Sequence, residues 1–303
     1  MNQEIESKLI FENAKEMIMC GIDDYWNRKA INSMIRSLYA GLLLLYKAYV
    51  IQNSGSISGD DRINIIELKA KIKEIDDKYF SKRVFKKKES ERIFIEDNFS
   101  DNIEKNYGSL EDVIDKINKF RNVAEHKYYY DKIDNTEDEY TIDEYFSLLV
   151  VVILDFMKKY LEKDPIEEFP YKILEYLYKD PETIGLMIEF IENFFVENGI
   201  DKDAICQNCF SEIYIPIPKN EYDNTDKFEL HNPKQLDDIE KIMLKEITDE
   251  NEILDIVTSK KYLKKSHVKC INEICGIEES LEDFKIKNEE WKEINKVIDE
   301  EIE

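Results

Sequence analysis

Two groups of side chains in this 303-residue chain have the types and spacing to do chemistry. The first is Arg121-Asn122-Val123-Ala124-Glu125-His126. Arginine stays charged at every physiological pH, and its planar fork of donors grips a phosphate through two oxygens. Histidine titrates near neutrality and can move a proton to or from a hydroxyl or a leaving oxygen. Together they suit RNA cleavage by the 2′-hydroxyl of the RNA itself, a transesterification to a cyclic phosphate that needs no metal. The second group is Cys206-x2-Cys209 and Cys270-x4-Cys275, with His267 three residues before Cys270. Four soft ligands in two pairs suit tetrahedral zinc. No H-x-E or H-E-x-x-H string accompanies them, so such a zinc would be structural. The alternative is four reduced thiols with no metal. The fifth cysteine, Cys20, is expected to be a small buried apolar residue in the first helix.

The helix expected to carry Arg121 starts at Ser109, with Asp112 three residues on as in a capping box. Its apolar stripe is Leu110, Val113, Ile114, Ile117, Phe120 and Ala124. With Leu110 at zero, Arg121 falls near 20°, inside the stripe, and His126 near 160°, on the far side. A guanidinium on a packing stripe needs a partner. The two residues converge if the helix breaks before His126, or if two copies of the chain pool their residues. A plainer reading leaves Arg121 paired with Glu125 at i,i+4 and His126 favoured by the helix C-terminal dipole.

Around this helix the chain reads as mainly α. Residues 3–20 and 26–52 carry helical periodicity, the second through Ile31, Met34, Ile35, Leu38, Leu42, Leu45 and Tyr49. Thr141 is the expected N-cap of a buried helix to Leu161 that holds the run Leu148 to Leu154. Residues 53–108 form an insertion, with a charged helix near 63–79, then a basic cluster and a polar stretch. These helices make a bundle over 1–165, and Pro165 and Pro170 mark its end. A smaller α domain occupies 166–303, with helices near 170–178, 182–197, 235–258 and 278–302. Its cysteine-bearing insert, about 200–280, includes the β-like run Ile213 to Pro218, as in a zinc ribbon.

Arg121 to His126, late in a helical bundle and followed by a long apolar helix, resembles the R-x4-6-H motif of the HEPN superfamily. The helix from Ala30 to Val50 is similar to an early bundle helix of such proteins, and the resemblance covers roughly residues 3–163. It implies a HEPN-like bundle that works as a metal-independent endoribonuclease. Arg121 would stabilise the phosphorane, Asn122 would hydrogen-bond near the phosphate, and His126 would act as acid/base or position the phosphate. It also implies a homodimer with a composite cleft, an RNA substrate such as tRNA or mRNA, and a toxin–antitoxin or anti-phage setting. The continuation to Tyr128 resembles the R-x4-H-x-Y variant of toxins whose antitoxin partner adenylylates the tyrosine. Other HEPN-like bundles are non-catalytic modules for dimerisation or partner docking. A zinc-stabilised adaptor is the third reading.

Charge divides the chain. The net charge of −24 lies entirely in residues 131–303, because residues 1–130 sum to zero. So acidic a protein is not expected to coat nucleic acid through net charge. Its neutral front half nevertheless holds a basic cluster, Lys82, Arg83, Lys86, Lys87 and Lys88, that could follow an RNA backbone. The 8 Gly and 6 Pro argue against turn-rich β folds. The start, Met-Asn-Gln-Glu, lacks a signal-peptide pattern, and the apolar run Leu148 to Phe156 is about half a membrane span. The expected setting is the cytoplasm, with reduced thiols.

Overall fold

The stripe from Ile31 to Tyr49 is buried throughout in the computed structural model. The structure describes residues 3–29, 31–54, 65–87, 92–96, 103–126, 140–202, 204, 214–218, 265–270 and 278–302. The chain divides into two units. Among the described residues, one holds 3–163 and Pro181–Thr183; the other holds Asp164–Asp180 and the residues from Ile184 onward.

In the first unit, α2 (Ile31–Ser54) packs against α1 (Gln3–Trp26), α3 (Ile65–Ile75), α4 (Leu110–His126) and α5 (Ile142–Tyr160). Helix α1 runs antiparallel to α2, and two glycines let the axes approach. A Cβ on Gly21 would sit 2.6 Å from Leu38 Cγ, and one on Gly41 would sit 2.5 Å from Ile18 Cγ1 and 3.2 Å from the Ala14 carbonyl oxygen. Ser7 Oγ donates to the Ala48 carbonyl at 3.0 Å near the far end of the pair. Thr141 caps α5 as expected: the Glu144 amide donates to Thr141 Oγ1, and the Thr141 amide donates back to Glu144 Oε2. The run Leu148 to Leu154 is buried on all sides.

The insertion departs from expectation. Its charged helix is present as α3, but the basic cluster and the polar stretch form a sheet. Strand β1 (Arg83–Lys87) lies between β2 (Arg92–Glu96) and β3 (Ile103–Ser109), antiparallel to both. Val84 and Phe85 are both buried, so β1 is covered on its two faces. Gly108, at φ +98°, makes the turn from β3 into α4, a conformation that favours glycine. The Ser109–Asp112 box starts the helix: the Asp112 amide donates to Ser109 Oγ, and the Ser109 amide donates to Asp112 Oδ2.

The second unit contains α6 (Pro165–Glu168), α7 (Tyr171–Lys179), α8 (Ile184–Glu197) and α9 (Leu281–Ile302). Asp164 caps α6 by accepting from the Ile166 amide at 2.9 Å. Gly199, at φ +71°, ends α8. Strands β4 (Tyr214–Pro218), β5 (Lys265–Cys270) and β6 (Glu278–Ser280) form an antiparallel sheet in the order β4-β5-β6. Phe284 of α9 is buried against Phe195 of α8, ring centres 5.5 Å apart. The helix expected near 235–258 lies outside the described residues.

The fold is mainly α, as expected, with two small sheets among the described residues. Among the described residues one helix, α2, is long and apolar enough to cross a membrane, and 72% of its apolar window is buried inside the protein. That burial suits a core helix.

Candidate functional site

The stripe of α4 explains where Arg121 sits. Leu110, Val113, Ile114, Ile117, Phe120 and Ala124 are all buried, and Phe120 stacks on Tyr145 of α5 at 4.0 Å. Arg121 projects from the same face and is half-buried. The partner demanded by that placement is an aromatic ring: the guanidinium carbon lies 4.7 Å from the ring centre of Tyr39 on α2. A cation over a ring face is held by the negative face of the π-system. Arg121 Nη2 also donates to Asn122 Oδ1 at 2.7 Å. Because a guanidinium has no acceptor, the amide oxygen of Asn122 must face it, which leaves Nδ2 as the donor of exposed Asn122.

Tyr39 is 1% exposed. Its hydroxyl is buried and makes no hydrogen bond among the described residues. Burial pushes the phenol up to about 12; Arg121 pulls it down and Asp115 pushes it up, both to lesser degrees. The ring therefore stays neutral across the physiological range.

Helix α4 remains helical through His126. At 100° per residue, positions 121 and 126 point about 140° apart. A helix break before His126, one of two routes by which the pair could meet, is therefore absent. The side chains of Glu125 and His126, and residues 127–130 with Tyr128, lie outside the described residues.

Two residues of the basic segment, Lys82 and Lys86, are engaged within the chain. Lys82 Nζ donates to Tyr160 Oη at 2.6 Å, and Tyr160 in turn donates to Asp76 Oδ2 at 3.1 Å. Lys86 pairs with Glu182, each side chain 20% exposed. Arg83 is half-buried. The side chain of Lys87 and the whole of Lys88 lie outside the described residues. This strand meets α4 at its start, whereas Arg121 is eleven residues along the helix, about 16 Å away. The fold does not bring the basic cluster to Arg121.

Of the four cysteines expected to hold zinc, Cys270 is described: it ends β5 and is buried. Cys206, Cys209 and Cys275 lie outside the described residues. Among the described residues no group of three or more His, Cys, Asp or Glu side chains could hold a metal ion. The β-like run expected before Pro218 is β4, and its first residue, Tyr214, pairs with Cys270. Cys20 is half-buried; burial pushes its thiol up, and Asp24 adds to the shift.

Tyr39 is the residue that sequence reasoning missed. Its place on the buried stripe was readable, three residues before Leu42 and four after Ile35, but its pairing with Arg121 was not. No family model, curated protein or solved structure matches the chain.

Proposed function

We propose that the chain is a metal-independent endoribonuclease of HEPN type. The observation that carries this reading is the seating of Arg121: a cation clamped on a buried ring, hydrogen-bonded to Asn122, on the helix that ends in His126. A fixed guanidinium at a half-exposed position suits a phosphate dianion or a phosphorane. In the reaction, a base removes the 2′-hydroxyl proton and O2′ attacks phosphorus. The P–O5′ bond breaks and the leaving oxygen takes a proton. The products are a 2′,3′-cyclic phosphate and a 5′-hydroxyl. Arg121 stabilises the charge on the equatorial oxygens, Asn122 Nδ2 donates beside it, and His126 moves the proton. Since 121 and 126 diverge on one helix, a second copy of the chain completes the site. A toxin or anti-phage setting follows from the same resemblance, with Tyr128 as the residue a regulatory partner would modify.

The test is cleavage of labelled total RNA and tRNA in EDTA, wild type beside Arg121→Ala and His126→Ala. Cyclic-phosphate ends made by the wild type and by neither variant are the expected result. Variants that cleave as well as the wild type would leave these residues without a catalytic role and favour a non-catalytic docking module.

A structural zinc in the second unit is a separate reading, favoured by the register of its sheet. Tyr214 opposite Cys270 places the start of β4 beside the end of β5. Cys206-x2-Cys209 precedes that start and Cys275 follows that end by five residues. In the sequence, both cysteine pairs thus flank the strand ends that Tyr214 and Cys270 join, and four thiolates there would suit a tetrahedral zinc.

A further inference from the structure

We infer that Tyr39 is a positioning residue for Arg121: the buried ring fixes the guanidinium plane in which a phosphate of the substrate is gripped. This rests on the nuclease reading for its substrate, but the geometry stands independently of it.

An arginine side chain has four rotatable bonds, and ordering it for bidentate contact costs affinity each time a phosphate binds. Here that ordering is already present in the free protein. The ring lies under the guanidinium at 4.7 Å, and Asn122 Oδ1 holds Nη2 at 2.7 Å. The platform cannot swing away, because Tyr39 is 1% exposed within the core of α2. The contribution of Tyr39 comes from its ring face. Its hydroxyl is buried and bonded to no described residue. Two substitutions separate the ring face from the bulk. Tyr39→Phe keeps the face; Tyr39→Leu keeps apolar bulk and removes the face.

The test compares these variants with wild type and Arg121→Ala in two assays. One is kcat/KM for RNA cleavage. The other is affinity for a 2′-O-methyl RNA oligonucleotide, which cannot be cleaved. Tyr39→Phe should match the wild type within about twofold in both. Tyr39→Leu should weaken both by about fivefold to thirtyfold, the span of a desolvated cation–π contact. In an Arg121→Ala background, Tyr39→Leu should cause no further loss, since the ring acts only through the arginine. Losses that multiply in the double variant would overturn the inference, as would a folded Tyr39→Leu with wild-type values.

If Tyr39→Leu does not fold, the wild-type protein decides the matter through the Nε–H resonance of Arg121. A ring-shifted signal that responds to inorganic phosphate supports the platform, and a signal at its free-arginine position overturns it. The two readings fail separately. Oligonucleotide binding that depends on Tyr39 and Arg121, with no cleavage, removes the nuclease and keeps the platform. Cleavage that depends on Arg121 but is indifferent to Tyr39 does the reverse.

Discussion

The Leu110 amide donates to the Lys82 carbonyl at 2.7 Å, tying the first turn of α4 to the start of the basic strand. This bond is one of the contacts that join the insertion's sheet to the start of α4. The basic cluster is anchored at one end of α4, and Arg121 rides near the other. Two features that look alike in the sequence, both cationic and both suited to phosphate, are thereby separated along the helix.

Lys86 is predicted to act on stability. Its partner Glu182 has one oxygen, Oε2, buried and unbonded among the described residues. Lys86→Met would strand that carboxylate and should cost about 1–3 kcal/mol in urea unfolding. Adding Glu182→Gln should recover most of the loss. The salt dependence of RNA binding should stay at its wild-type slope. A slope reduced by about one in Lys86→Met would mean that this lysine contacts a phosphate instead.

The α1–α2 contact makes a second prediction. Alanine is ordinarily the better helix residue, yet Gly41→Ala should destabilise. The added methyl meets Ile18 Cγ1 at 2.5 Å and the Ala14 carbonyl at 3.2 Å, and a backbone atom cannot rotate away. Overpacking of this kind costs about 1–3 kcal/mol, more than the propensity gain. Thermal unfolding of the variant checks the sign; a raised midpoint would contradict the close approach.

Acid should weaken the first unit through its helix caps. Burial pushes the Glu144 carboxyl up, but the hydrogen bond from Lys105 and that from the Thr141 amide outweigh it, leaving it below its ordinary value. Asp112 is lowered chiefly by the Ser109 hydroxyl, then by the Ser109 amide. A carboxyl depressed in the folded state stabilises above its unfolded value, near 4. That stability is lost as pH falls through the folded value. Urea midpoints measured between pH 6 and pH 3 should therefore fall, and fall less steeply in Glu144→Gln/Asp112→Asn. Parallel curves for the two proteins would refute the assignment.

Zinc content tests the second unit. Protein purified without chelator should carry about one zinc per chain. Cys209→Ser should lower that content and the thermal midpoint together. Metal-free wild type with an unchanged midpoint would leave the cysteines as free thiols.

Much of the architecture was written locally. Thr141 with Glu144, Ser109 with Asp112, and the three- and four-residue steps of α2 are short-range signals, and each became the element it predicted. The sheet of the first unit was not legible. Its central strand offers two buried residues, Val84 and Phe85, set among lysines and an arginine, and its partner β3 lies some twenty residues on, beyond any periodic window. The site divides the same way. The place of Arg121 on the stripe showed that a partner must exist. Which residue it was depended on how α2 and α4 cross, so Tyr39 emerged only from the fold. The stretch 200–280 combines β pairing with long intervening segments, and only its run into Pro218 announced a strand.

The unbroken course of α4 has a consequence for the cell. A site that one chain cannot complete ties activity to abundance. Well below the dimer dissociation constant, the fraction of completed sites rises in proportion to protein concentration, so total cleavage rises with its square. Halving the concentration would quarter the output. If the proposed two-copy site is right, such a nuclease could be stored at low copy number and armed by accumulation alone.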